Sequence, residues 1–279
     1  VLASLGVLAF SFSFPATAWA LRGFGPWTTT GMRGLLAGVL AVACLAFARA
    51  PLPRRADWPG LLVVAGGCVV GFPLLTTFAL QVSTTAHSAV VIGLLPLVTA
   101  AMSAAWTRRR LPVLFWLAAI AGAAAVAGFT LAQSCGPPTL GDLYLFGALL
   151  LCAAGYVEGG RLAAHLPGWQ VIAWGVVAAL PVSALVTAVA LPMEPVHPTA
   201  LSLVGIGYIA AVSQLGGFMV WYRGMAEIGV PRASQFQLAQ PLVTLVWSVW
   251  VMGERPSPLA PVTALLVLGC IAVTQRVRR

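Results

Sequence analysis

Gln237, Gln240, Thr244 and Ser248 follow one another at spacings of three, four and four. On an α-helix, at about 100° per residue, they share one stripe roughly 80° wide. The residues around them are apolar enough to span a bilayer. A polar stripe on a spanning helix must face protein or water, because lipid offers it no partners. Amides and hydroxyls donate and accept hydrogen bonds without carrying charge, which suits reversible binding of a polar solute rather than bond making. A second face carries Gln214, Gly217, Phe218 and Trp221, an amide and two aromatics with a small residue, as in a pocket for a part-apolar organic solute. Arg33 stands about 9 Å inside another apolar stretch. There it either snorkels to the interface or binds a substrate carboxylate or a coupling group. Glu158 is an acid within an apolar stretch. With Arg161 three residues later it makes an i, i+3 ion pair, and it is also the candidate for proton coupling.

The elements that must position these groups are helices. The chain has 279 residues, 60% hydrophobic and 8% charged, with a mean hydropathy of +0.97. Ordinary globular chains carry about 25% charged residues. In lipid every backbone polar group must pair within its own segment or within a closed barrel. Barrel strands would read as alternating segments of roughly ten residues; here the apolar runs are continuous and about 20 residues long, the length of a spanning helix. Ten such runs are expected, at 1–20, 27–48, 59–80, 87–106, 112–132, 141–160, 169–191, 199–222, 232–252 and 257–275. The chain begins at Val1 rather than Met, which implies residues upstream. The first run is not a signal peptide, because no basic region precedes it and nine more runs follow.

All fifteen basic residues are Arg, and the net charge is +9. The charge is spread over short loops rather than one face, so no nucleic-acid partner is expected. With the N-terminus cytoplasmic, twelve arginines fall inside and three (Arg22, Arg33 and Arg255) fall outside or near the outer end, as the positive-inside rule requires. Both termini are therefore expected in the cytoplasm of a cell with this protein in its inner membrane, with Cys135 outside. The cysteines have no metal-ligand spacing with histidine, and no metal or cofactor is expected. No Gly-rich phosphate loop with Lys is present, which excludes a primary pump within this chain.

Pro96-Leu97-Val98-Thr99 recurs as Pro241-Leu242-Val243-Thr244, 145 positions on. A repeat of half the chain marks a transporter built of two related halves, here 1–135 and 136–279. Five spans per half is odd, so the second half enters the membrane upside down. The fold expected is thus an all-α membrane protein of ten transmembrane helices in two inverted five-helix repeats. At the repeat positions of Gln237 and Gln240 stand Ile92 and Leu95. Packing demanded by the fold should recur in both halves; these amides do not, which assigns them to substrate. Tyr156 pairs with Ser11 across the same interval and joins the site. The substrate-binding set is Gln237, Gln240, Gln214, Trp221, Tyr156, Ser11, Arg33 and Thr244.

Pro15, Pro73, Pro96, Pro181 and Pro241 fall inside spans and can kink them. Ala118 to Gly128 is nearly all Ala and Gly, which suits close helix packing or a homodimer contact. Asp142 and Glu254 sit at span ends with structural roles, and His87 is interfacial.

Trp221-Tyr222-Arg223-Gly224-Met225-Ala226, Val230-Pro231-Arg232-Ala233-Ser234, Gln240-Pro241-Leu242 and Met252-Gly253-Glu254-Arg255 together resemble the EamA-like family of the drug/metabolite transporter superfamily. Phe78-Ala79-Leu80-Gln81, Thr85-Ala86-His87-Ser88-Ala89 and Leu95-Pro96-Leu97 form a weaker first-half copy. It departs at Thr107-Arg108-Arg109, where the closing Gly-Glu-Arg is missing. Arg33 matches an arginine common near the start of the family's second span. The resemblance covers the whole chain. It implies a secondary transporter, usually an exporter of amino acids, related metabolites or toxic compounds, with a small-molecule substrate and the lipid bilayer as its partners. The alternatives are a membrane-embedded enzyme, which would need clustered acids and histidines within the spans, or a receptor or structural membrane protein.

Overall fold

The computed structural model describes residues 2–82, 88, 91–108, 110–131, 140–252 and 260–276. Among these the secondary structure is helical, apart from one isolated antiparallel bridge between Phe24 and Val196. His87, Cys135, Glu254 and Arg255, which the sequence reading placed in loops or at span ends, lie outside the described residues.

Among the described residues six helices are long and apolar enough to cross a membrane: α1 (Leu2–Ala20), α2 (Pro26–Phe47), α3 (Arg55–Val82), α6 (Leu140–Leu162), α7 (Gly168–Ala190) and α8 (Ala200–Ile228). Between and after them lie α4 (Leu95–Thr107), α5 (Val113–Leu131), the composite α9 and α10 (Ala260–Arg276). Helix α9 consists of Val230–Gln235, a 3-10 turn at Phe236–Ala239, and Gln240–Met252. The sequence reading ended the eighth span at 222. The helix instead continues to Ile228, because Tyr222, Gly224 and Met225 are buried while Arg223 and Glu227 pair on the exposed side. It stops at Gly229, whose φ of 83° few side chains tolerate.

Several spans are interrupted, and the interruptions recur. In α3 residues Ala65–Gly71 form a π-helical segment, and in α8 so do Tyr208–Gly217. A turn at Gly93-Leu94 precedes α4, and the 3-10 turn precedes the last piece of α9. Leu95–Thr107 and Gln240–Met252 begin and end 145 positions apart, the interval of the repeated tetrapeptide. The prolines explain where the helices resume. Pro96, Pro241 and Pro73 stand second in their pieces, Pro73 in the one that follows the π segment of α3, and Pro15 lies in the turn after the Phe12 break in α1. A first-turn proline lacks only an N–H that has no helical partner anyway. Pro181 alone of the five sits within an unbroken helix.

Small residues set the close contacts. On α2, Cβ atoms added to Gly31, Gly34 and Gly38 would meet Thr187, Ser183 and Leu180 of α7 at 2.6, 2.2 and 2.3 Å. Backbones approach this closely only where side chains are absent, and the contact fixes α2 and with it Arg33. The Ala/Gly stretch of α5 faces α9 and α10, with Gly122 against Leu238 and Cys270. At one end of the bundle Glu194 accepts from the N–H groups of Trp27 (3.1 Å) and Thr28 (2.8 Å) and so caps α2. Beside it the N–H of His197 donates to the carbonyl of Gly23. At α3's N-terminus Asp57 pairs with His165 at 2.9 Å.

Candidate functional site

A small cavity of about 30 Å³ lies among α1, α2, α3, α4, α6, α8 and α9. Its polar lining is Ser13, Thr17, Arg33, Thr76, Tyr156, Ser213, Gln237 and Gln240; its apolar lining is Phe10, Phe14, Phe72, Ile92, Leu95 and Phe218. A still smaller space of about 10 Å³, bounded in part by the same residues, lies toward Pro241 and Thr244. Both halves of the chain contribute.

The interruptions position the polar groups. In a 3-10 turn side chains three apart eclipse, so the turn at Phe236–Ala239 brings Gln237 and Gln240 into line on the cavity wall. Gln237 donates to the hydroxyl of Tyr156 at 2.8 Å, while its Oε1 is buried without a partner among the described residues. Tyr156 is 3% exposed, on the cavity side of α6.

Arg33 reaches the cavity from α2 and is 6% exposed. Its Nε donates to Gln214 Oε1 at 2.9 Å and its Nη2 to Ser213 Oγ at 3.4 Å. Ser213 in turn shares a 2.7 Å hydrogen bond with Ser13. Gln214 is fully buried; its amide donates to the carbonyl of Cys68, in the π segment of α3, at 3.3 Å. The two π segments, both Gly-containing, are thus joined behind the guanidinium through Gln214. A wide turn of i→i+5 bonding is a recurrent device at functional positions.

The remaining sequence candidates lie elsewhere. Trp221 is fully buried between Phe10 and Tyr156, at 5.9 and 5.5 Å between ring centroids, and backs the cavity without lining it. Ser11 donates to Leu8 O and accepts from Trp247 Nε1, so it ties α1 to α9 and is not brought to the cavity beside Tyr156. Thr244 donates to Ser11 O at 2.8 Å while bordering the smaller space. The side chain of Ser248 lies outside the described part. Glu158 is buried and holds Arg161 at 2.8 Å, close to Gly60 of α3.

Sequence reasoning missed Ser13, Thr17, Thr76, Ser213 and most of the phenylalanines. Single hydroxyls in apolar spans carry no periodic signal, and helical phase fails across π and 3-10 segments. The face drawn through Gln214 and Trp221 assumed an unbroken α-helix; the π segment changes the phase at Gln214.

Comparison with known proteins places this architecture. The sequence model of the EamA-like transporter family matches residues 1–131 and 139–275. A protein of Bacillus subtilis (strain 168), named as the uncharacterized transporter YdeK, is 39% identical over 275 residues, covering 98% of this chain and 95% of its own length. A solved crystal structure superposes with a TM-score of 0.79 over 98% of this chain and 94% of its own, at 22% identity, a likeness of fold.

Proposed function

Because this chain belongs to the EamA-like transporter family, we propose that it is a secondary exporter of small organic metabolites, amino acids, related compounds or toxic organic molecules, working by alternating access. The observation that carries this reading is the cavity between helices of both halves, where one buried cation and two amides face a ring of aromatic side chains. Once the transport cycle widens the space, such a wall suits a part-polar, part-apolar solute at modest affinity, and modest affinity lets the solute leave again.

The multi-pass membrane character follows from the family and the apolar helices. In our reading α4, α5, α9 and α10 complete ten spans, and the two halves are inverted copies related by an axis in the membrane plane. The helix pieces that begin and end 145 positions apart, and the π segments shared by α3 and α8, support that symmetry. The breaks next to Pro73, Pro96 and Pro241 lie beside the cavity and supply the bending points for a cycle that closes one side as it opens the other. We place both termini in the cytoplasm, the Asp57–His165 pair at the inner end and the Glu194 cap at the outer end. If the cycle uses a proton, Glu158 is the group to carry it; its bond to Arg161 also suits a fixed structural ion pair, which leaves facilitated efflux or exchange as the simpler mode. Transport rather than catalysis is what the family supports.

The test is reconstitution of the purified chain into liposomes, followed by efflux of labelled metabolites with and without a pH gradient. Efflux of at least one metabolite above protein-free liposomes is expected. No efflux above that background for any solute would overturn the exporter reading. An effect of the gradient that Glu158→Gln abolishes would assign the coupling.

A further inference from the structure

We infer that the cavity is selective for organic monoanions: the transported solute presents a carboxylate to Arg33, hydrogen-bonds to Gln237, and lays an apolar body on the phenylalanines. The inference rests on the transport reading above and names the charge class of its substrate.

The argument begins with charge. A guanidinium held within a membrane domain carries a large desolvation cost unless an anion or several dipoles face it. The chain contains six carboxylate side chains. Asp57 is paired with His165, Glu158 with Arg161 and Glu227 with Arg223, while Glu194 caps α2. Asp142 lies in the first turn of α6, 14 residues or roughly 21 Å along the helix from Tyr156. Glu254 is outside the described residues. Among the described residues no carboxylate lines the cavity, and Arg33 is its one ionic side chain.

The neutral partners leave the guanidinium unfinished. A guanidinium has five N–H donors in a planar fork suited to a carboxylate. Two are engaged, one by Gln214 and one by Ser213 at the longer distance of 3.4 Å. The Nε bond to the buried Gln214 fixes the plane of the group, and the group itself lines the cavity. Preorganised donors with a net charge and no internal counter-ion are an anion site. Gln237 supplies the second observation. Gln237 lines the cavity and its Oε1 is buried without a partner among the described residues, so it is free to accept from a hydroxyl or amide N–H on the solute. An ammonium group in the same space would meet the positive charge of Arg33 with no carboxylate to offset it, which disfavours amines most and zwitterions in part.

Three solutes that share a phenylethyl unit test this: 3-phenyllactate (anion with a hydroxyl), phenylalanine (zwitterion) and phenethylamine (cation, without the carboxyl carbon), each labelled and loaded into liposomes containing the full chain. The expected result is efflux of phenyllactate at least about tenfold faster than phenylalanine, with phenethylamine at the protein-free background; tenfold is the size of a single charge-assisted hydrogen bond. Arg33→Gln keeps an amide that still reaches Gln214, so it removes the charge and retains the tether. It should lower phenyllactate efflux at least about tenfold and erase the preference over phenylalanine, while Arg33→Lys retains part of both. A tether-only role would leave the charge preference of Arg33→Gln unchanged, and that result overturns the inference. Preference for phenylalanine or phenethylamine in the unaltered protein, a measurement that needs no variant to fold, overturns it while leaving transport intact. Absence of movement for all three solutes and for the wider metabolite panel overturns both readings.

Discussion

Replacing Gln237 by Leu separates binding from folding at this site, and the structure gives the expected size of each effect. The substitution removes the 2.8 Å bond to Tyr156. Such a bond contributes about 0.6 kcal/mol between membrane helices and at most about 1.7. It also removes the buried Oε1 that has no partner among the described residues, and an unsatisfied buried polar atom costs about 1–3 kcal/mol. The two changes oppose each other, so thermal stability in detergent should stay within about 1 kcal/mol of the unaltered protein. Transport should change more. Loss of one polar contact to the solute corresponds to about 1–2 kcal/mol, or a 5- to 30-fold rise in the half-saturating concentration. Tyr156→Phe supplies the contrast: it leaves the amide of Gln237 unmet on both sides and should destabilise more than Gln237→Leu does. The double variant should then be more stable than the sum of the single losses predicts, by about 0.6–1.7 kcal/mol. Melting curves for the four proteins and solute titrations in liposomes measure both quantities. Unchanged transport of every accepted solute by Gln237→Leu would refute the site reasoning, for the amide would then be interhelical packing. Collapse of the fold would refute the stability reasoning.

Gly159→Ala should lower stability by about 1–3 kcal/mol, because its Cβ would fall 2.1–2.5 Å from the buried ring of Tyr222. Gly207→Ala, which meets nothing within 4 Å, should be neutral or gain up to about 1 kcal/mol; thermal melts of the two side by side check both. Glu194→Ala should cost about 0.5–2 kcal/mol by uncapping α2, and faster hydrogen exchange at Trp27 and Thr28 is the local signature. An impermeant maleimide should label Cys135 in intact cells; labelling only after the membrane is broken would reverse the proposed orientation.

The helical class and most span positions were legible in the sequence because lipid leaves the backbone one local solution, and a continuous apolar run announces it. The equivalence of two proline sites was legible too, since Pro96 and Pro241 carry identical neighbours and each stands second in a helix piece that follows a break. The glutamines on α9 could be named as a polar face, and Arg33 as a charge within a span. What the sequence could not supply was phase across the breaks and the identity of partners. Gln214 read as a cavity amide and Trp221 as its neighbour; the fold sets Gln214 behind Arg33 and Trp221 behind Tyr156, because the π segment rotates one relative to the other. Ser11 read as the mirror of Tyr156, yet the break at Phe12 leaves it bonded to Trp247. Ser13 and Ser213 lie 200 residues apart and meet at 2.7 Å only because α1 packs on α8. Periodicity reports which face of a helix is polar; which helix that face meets is decided by packing of small residues, such as Gly31, Gly34 and Gly38 against α7, and such packing leaves no local mark on the sequence.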